Sequence, residues 1–190
     1  MKRTLVLAKH AEPVLEPDVA PNRWRLSEAG CCGSALLGER LARYGPGVVV
    51  CSEEPKAVET AEIAAERLGI GCSVYPGLHE HDRTGMPFLR DEEFGHAARA
   101  FFERPDEFVW GNETAQRAGN RFEGAVRRVL DEREKDVVVI IAHGTVISLL
   151  VAQHNDIDAH ELWQSLGLPS FCVLSVPGLE LREASFSPMP

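Results

Sequence analysis

Three short, almost uninterrupted apolar runs set the strongest limit on what this chain can fold into: residues 4–8 (TLVLA), 47–51 (GVVVC) and 137–142 (VVVIIA). A strand with one wet face alternates apolar and polar residues. Runs this uniformly rich in Val, Leu and Ile suit strands covered on both faces, as in parallel sheets. Between them lie stretches with helical apolar spacing, at 27–43, 54–68 and 113–133, with Ser27 and Asn112 as candidate N-caps. A further helix is expected at 145–154, a short one at 158–166, and closing strands near 170–176 and 179–184. Strands alternating with helices predict an α/β fold, a three-layer α/β/α sandwich around a mainly parallel central sheet.

At 190 residues the chain has the length of one ordinary domain, so residues 1–190 are expected to form a single unit. Residues 76–111 break the pattern. They mix Phe, Trp and acidic residues without clean periodicity and are punctuated by Pro76, Gly77, Gly85 and Pro87, which predicts a partly helical insertion forming a lid. The net charge of −9 offers nucleic acid or anionic lipid no general attraction, so an anionic substrate would need a locally positive pocket. The first apolar run stops at Lys9, too short for a signal-peptide core or a membrane span. Five cysteines without CxxC spacing suggest neither a disulfide framework nor a zinc site. The resulting expectation is a cytoplasmic protein without nucleic-acid or membrane partners; oligomeric state stays open.

Each apolar run ends in polar groups: Lys9-His10 after the first, Ser52 after the second, His143-Gly144 after the third. In open parallel sheets ligands bind outside the carboxyl ends of the strands. If these strands are neighbours, two imidazoles and a hydroxyl emerge on one edge. An imidazole is a competent nucleophile toward phosphorus, and a transferring phosphoryl group needs cations and other donors around it. A lone histidine at a strand end would more simply be a structural hydrogen-bonding residue; two at matching ends are harder to read that way. The cluster His79-Glu80-His81-Asp82 reads as a loop and not a metal site, because adjacent loop residues do not normally converge on one ion. Asn112-Glu113-Thr114 reads first as a helix start.

Five pieces of the chain, taken together, resemble the motifs of the histidine phosphatase superfamily, the group that includes cofactor-dependent phosphoglycerate mutase. They are Leu7-Ala8-Lys9-His10-Ala11-Glu12 for its Arg-His-Gly strand end, Leu26-Ser27-Glu28-Ala29-Gly30 for its Leu-Ser/Thr-x-x-Gly helix entry, and Ser52, Lys56 and Thr60-Ala61 for its Ser, Arg and Thr-Ala element. Leu78-His79-Glu80 matches its Leu-x-Glu and His143-Gly144 its closing His-Gly, so the resemblance runs in order over roughly residues 4–152.

The resemblance implies a phosphoglycerate mutase-like fold and a phosphatase acting on a small phosphomonoester without metal or organic cofactor. His10 would accept the phosphoryl group, Glu80 would protonate the leaving oxygen, with Asp82, Glu12 and His81 as rivals for that role, and His143 would contact the phosphate. Lys9, Ser52, Lys56 and Gly144 would line the phosphate subsite, with Glu113 a further candidate in a Gly-Glu-Ser-like position. Two departures stand out. Lysines occupy both clamp-arginine positions, keeping charge but losing the planar bidentate fork, and Ala11 replaces glycine beside the nucleophile. Arg23 or Arg25, in a Pro-rich loop, would be the nearest substitute guanidinium. Mutase-type phosphoryl transfer and a non-catalytic phospho-ligand module are the alternative readings.

Overall fold

In a computed structural model, which describes residues 3–186, the three apolar runs form the centre of a six-stranded mixed sheet. The strands are β1 (Thr4–Lys9), β2 (Val48–Cys51), β3 (Cys72–Val74), β4 (Val137–Ala142), β5 (Ser170–Ser175) and β6 (Leu181–Ser185), in the order β3-β2-β4-β1-β5-β6. The first four run parallel; β5 is antiparallel to β1, and β6 to β5. The expected closing strands are thus present, and they make the sheet mixed.

Side chains along a strand alternate between faces, and both faces here are covered. Leu5, Leu7, Val138 and Ile140 pack with Phe122, Val126 and Val129 of α4 (Ala115–Glu132) and Ile147 and Leu150 of α5 (Gly144–His154). Val6, Ala8, Val139 and Ile141 pack on the other side against Leu37 and Leu41 of α1 (Glu28–Leu41) and Ala57, Ala61 and Ala64 of α2 (Pro55–Leu68). Two further helices, α3 (Asp91–Glu103) and α6 (Ala159–Ser165), join the α4–α5 side. The result is the α/β sandwich that the pattern predicts. Among the described residues, no helix is long and apolar enough to cross a membrane.

Helix ends follow local chemistry. Ser27 caps α1, its hydroxyl accepting from the Gly30 amide at 2.9 Å. The cap of α4 is Thr114 and not Asn112: the Thr114 hydroxyl accepts from the Arg117 amide, while Asn112 bonds instead to Asp82 and to the Thr84 carbonyl. Gly30 brings the first turn of α1 against the loop that follows β1. A methyl there would lie 2.1 Å from the Glu12 carbonyl oxygen, which already accepts from the Ser27 amide. The Leu-Ser-x-x-Gly entry is therefore a packing device that holds the loop after His10. Residues 76–111 contain α3 and supply much of the wall over the sheet's carboxyl edge.

Candidate active site

The sheet order puts β4 between β1 and β2, and the parallel ladder extends one residue past the strands. The His10 amide donates to the Ala142 carbonyl and the Ser52 amide to the Ile141 carbonyl, each at 3.0 Å. His10, Ser52 and His143 thus leave adjacent strands at one level. The two imidazoles lie with ring centroids 5.2 Å apart, edge to face.

His10 Nδ1 lies 2.7 Å from the Ala11 carbonyl, which can only accept; Nδ1 therefore carries the proton and Nε2 the lone pair. Burial first, with His143 and the Lys56 ammonium beside it, holds this imidazole well below the usual histidine value, so it is neutral at physiological pH. Ala11 needs no left-handed backbone, since Leu179 is the only non-glycine residue with positive φ among the described residues. Its amide donates to the Thr60 hydroxyl at 3.0 Å, a direct use of the Thr-Ala element.

His143 is fully buried behind His10, its Nε2 2.8 Å from the Ser52 hydroxyl, while its Nδ1 has no hydrogen-bond partner. Burial first, then the Lys56 charge, keeps this ring well below the usual histidine value as well. Gly144 starts α5, and the next amide, that of Thr145, donates to Glu80 Oε2 at 3.2 Å. Glu80 Oε1 accepts from the His81 amide at 2.9 Å. Burial pushes the Glu80 carboxyl up, but His143, Arg83 and the His81 amide outweigh it, and the net shift is downward.

Both lysines at the clamp positions are engaged. Lys56 Nζ donates to Glu54 Oε2 at 2.5 Å and to the Pro21 carbonyl at 2.7 Å; Lys9 Nζ donates to the Leu166 carbonyl at 2.8 Å. Burial lowers the Lys9 value, with Glu80 opposing. Glu54, absent from the sequence-based site, is a hub: buried beside Lys56, it also accepts from the Glu80 amide at 2.8 Å and lies 3.5 Å from His143 Nε2.

Glu113 is engaged within the protein. It pairs with Arg121 at 2.5 Å and accepts from the Asp82 amide, while Arg121 donates to the Gly77, His79 and Glu80 carbonyls. The pair mounts the loop that carries Glu80. The members of the 79–82 cluster diverge: His79 pairs with Glu53, His81 stacks on Phe101 at 4.0 Å, and Asp82 holds Thr84 and Asn112. Arg23 is exposed in a short 3-10 turn, and Arg25 pairs with Glu59 at the surface. The guanidinium at the cavity is that of Arg83, on neither predicted segment. A cavity of about 540 Å³ is lined by Lys9, His10, Glu80 and Arg83 on one side and by aromatic residues, among them Trp110 and Trp163, on the other.

A family model of the histidine phosphatase superfamily (branch 1) matches residues 5–182. A probable phosphoglycerate mutase, GpmB, of Cronobacter sakazakii is 27% identical over 169 residues, which cover 85% of this chain and 71% of that protein. Mycobacterial glucosyl-3-phosphoglycerate phosphatase superposes with a TM-score of 0.80 at 20% identity over 99% of this chain and 100% of that one. For Bacillus stearothermophilus YhfR the values are 0.76 and 23% over 99% and 98%. A phosphoserine phosphatase from Entamoeba histolytica superposes at 0.77 with 13% identity over 96% of each chain. The fold is thus that of the phosphoglycerate mutase-like α/β proteins. With its motifs in order and the family model spanning nearly its whole length, the chain belongs to the histidine phosphatase superfamily.

Proposed function

We propose that this protein is a phosphatase that hydrolyses a small phosphomonoester through a phosphohistidine on His10. The observation that carries this reading is the tautomer of His10: with Nδ1 tied to a backbone carbonyl, a neutral ring lining the cavity keeps its lone pair on Nε2. Nε2 attacks phosphorus, the bond from phosphorus to the alcohol oxygen breaks, and the departing oxygen takes a proton from Glu80. Water then attacks the phosphohistidine, breaking the N–P bond and returning a proton to the Glu80 carboxylate. The resting Glu80 is ionised, held so by the charges and amides around it; a phosphate anion arriving beside it pushes the carboxyl back up, toward the protonated form the first step needs. The Nδ1 of His143 is buried and has no partner within the protein, which supports a role for this ring, 5.2 Å from that of His10, as donor to the transferring group.

The alcohol side of the substrate meets Phe94, Phe102, Trp110, Trp163 and Leu168, an apolar wall that suits an aryl or arylalkyl alcohol. Among the described residues lining this cavity, the carboxylate of a phosphoglycerate finds no cation beyond those serving the phosphate, which favours hydrolysis over mutase chemistry. Incubation with 2-phenylethyl phosphate and, separately, 3-phosphoglycerate checks this. Inorganic phosphate should appear from the first, with little turnover of the second. Isomerised phosphoglycerate without free phosphate would replace this reading with a mutase, and binding of both without turnover would replace it with a binding module.

Glu80→Gln should cut kcat/KM for 2-phenylethyl phosphate by about 10²–10³-fold, because an alkoxide cannot leave without a proton. For p-nitrophenyl phosphate, whose phenolate leaves unaided, the loss should be about tenfold or less. Equal losses on both esters would remove Glu80 from the acid role.

A further inference from the structure

We infer that Arg83 supplies the guanidinium clamp on the substrate's phosphoryl group that neither Lys9 nor Lys56 provides. The inference rests on the phosphatase reading and concerns the same site.

The first ground is the engagement of the lysines. Lys56 lies between Glu54 and the Pro21 carbonyl, and Lys9 is turned to the Leu166 carbonyl. Each remains a point charge near the site, but an ammonium cannot offer the two parallel N–H groups that fix a phosphate's orientation.

The second ground is the state of Arg83. Among the described residues its guanidinium makes no hydrogen bond and no ion pair within salt-bridge distance, although it is partly buried and its charge acts on Glu80 and Glu54. Its N–H donors have no acceptor within the protein, yet none of them is sealed from solvent, so they are free to receive an anion that enters the cavity. The group borders the cavity that His10 and Glu80 line.

The third ground is that the guanidinium is held in place. Its central carbon lies 4.6 Å from the Trp110 ring centroid and 5.8 Å from that of Phe94. Trp110 is fixed in turn by the next residue. Gly111 has φ +121°, and a Cβ there would come within 2.4 Å of His81 Nε2 and 2.5 Å of the Asp82 carbonyl oxygen. The Asn112 amide donates to that same carbonyl at 2.8 Å. The loop bearing Arg83 and the loop bearing its aromatic platform are thus tied together, and the guanidinium sits over the Trp110 ring at the cavity border.

If Arg83 served only to offset Glu80 and Glu54, removing it would alter the pH profile and leave oxyanion affinity unchanged. A clamp predicts otherwise. Arg83→Met should weaken the Kd for orthovanadate, measured by calorimetry, by about 10–100-fold and raise KM by a similar factor, with a smaller change in kcat. Arg83→Lys keeps the charge without the fork and should recover only part of that loss; thermal melts of both variants identify any that misfold. Vanadate affinity within twofold of wild type in folded Arg83→Met, or full recovery in Arg83→Lys, overturns the clamp. A wild-type protein that releases phosphate while Arg83→Met is unimpaired sinks this inference alone, whereas a wild type that neither turns over esters nor binds vanadate sinks the phosphatase reading beneath it.

Discussion

His10→Ala should lower phosphate release by about four orders of magnitude while the protein keeps its thermal melt. On the proposed mechanism the substitution removes the covalent route, and what remains is whatever rate a positioned water achieves in the same electrostatic setting. Rapid acid quench of wild type with a ³²P-labelled ester should trap one acid-labile phosphoryl group per chain, and the variant none. The ring's environment adds a second signature. Because burial, with His143 and Lys56 beside it, keeps His10 well below the ordinary histidine value, the nucleophile stays deprotonated as pH falls from 8 to 6.5. The acid limb of kcat/KM should therefore lie below pH 6.5. A limb centred at the ordinary histidine value, or a labelled His10→Ala chain, would contradict this assignment of the nucleophile.

Lys56→Met should destabilise the fold by about 3–5 kcal/mol, because it leaves the buried Glu54 carboxylate without its counter-charge. The side chain itself loses little packing, since methionine follows much of lysine's path; the cost lies in the stranded anion. Adding Glu54→Gln removes that anion and keeps an acceptor for the Glu80 amide, so the double variant should regain most of the loss. Urea unfolding of the two single variants and the double closes the cycle, with an expected coupling of about 2–3 kcal/mol. Additive losses would mean that Lys56 and Glu54 do not act as a pair.

The parts of this protein legible from sequence are those set by short-range rules. Strands covered on both faces declare themselves as apolar runs, and residues one step beyond them must emerge at the same edge once the strands are neighbours. His10, Ser52 and His143 meet for that reason. The Ser27 cap is equally local. Asn112 failed as a cap because Asp82 and Thr84, some 30 residues earlier, compete for its side chain, a contact no spacing rule contains. β3 is three residues at a sheet edge, too short for any period. Glu54 carries no signal in the sequence, and only the fold of Lys56 against it reveals a buried pair. Arg23 seemed the nearest spare guanidinium along the chain, yet the one that reaches the cavity is Arg83, carried by the aperiodic 76–111 segment.

Arg121 grips the Gly77, His79 and Glu80 carbonyls, which are main-chain atoms common to every amino acid. Its hold is therefore indifferent to side-chain changes at the partly exposed His79 and Asp82, whereas Gly77, at φ +85°, and the buried Leu78 and His81 are fixed by backbone and packing. Substitutions at those two exposed positions can reshape the rim around an incoming molecule while Glu80 keeps its perch, and the sheet-borne imidazoles stay out of reach of such drift. A lineage carrying this arrangement is free to change which molecules it accepts without relearning how it acts on them.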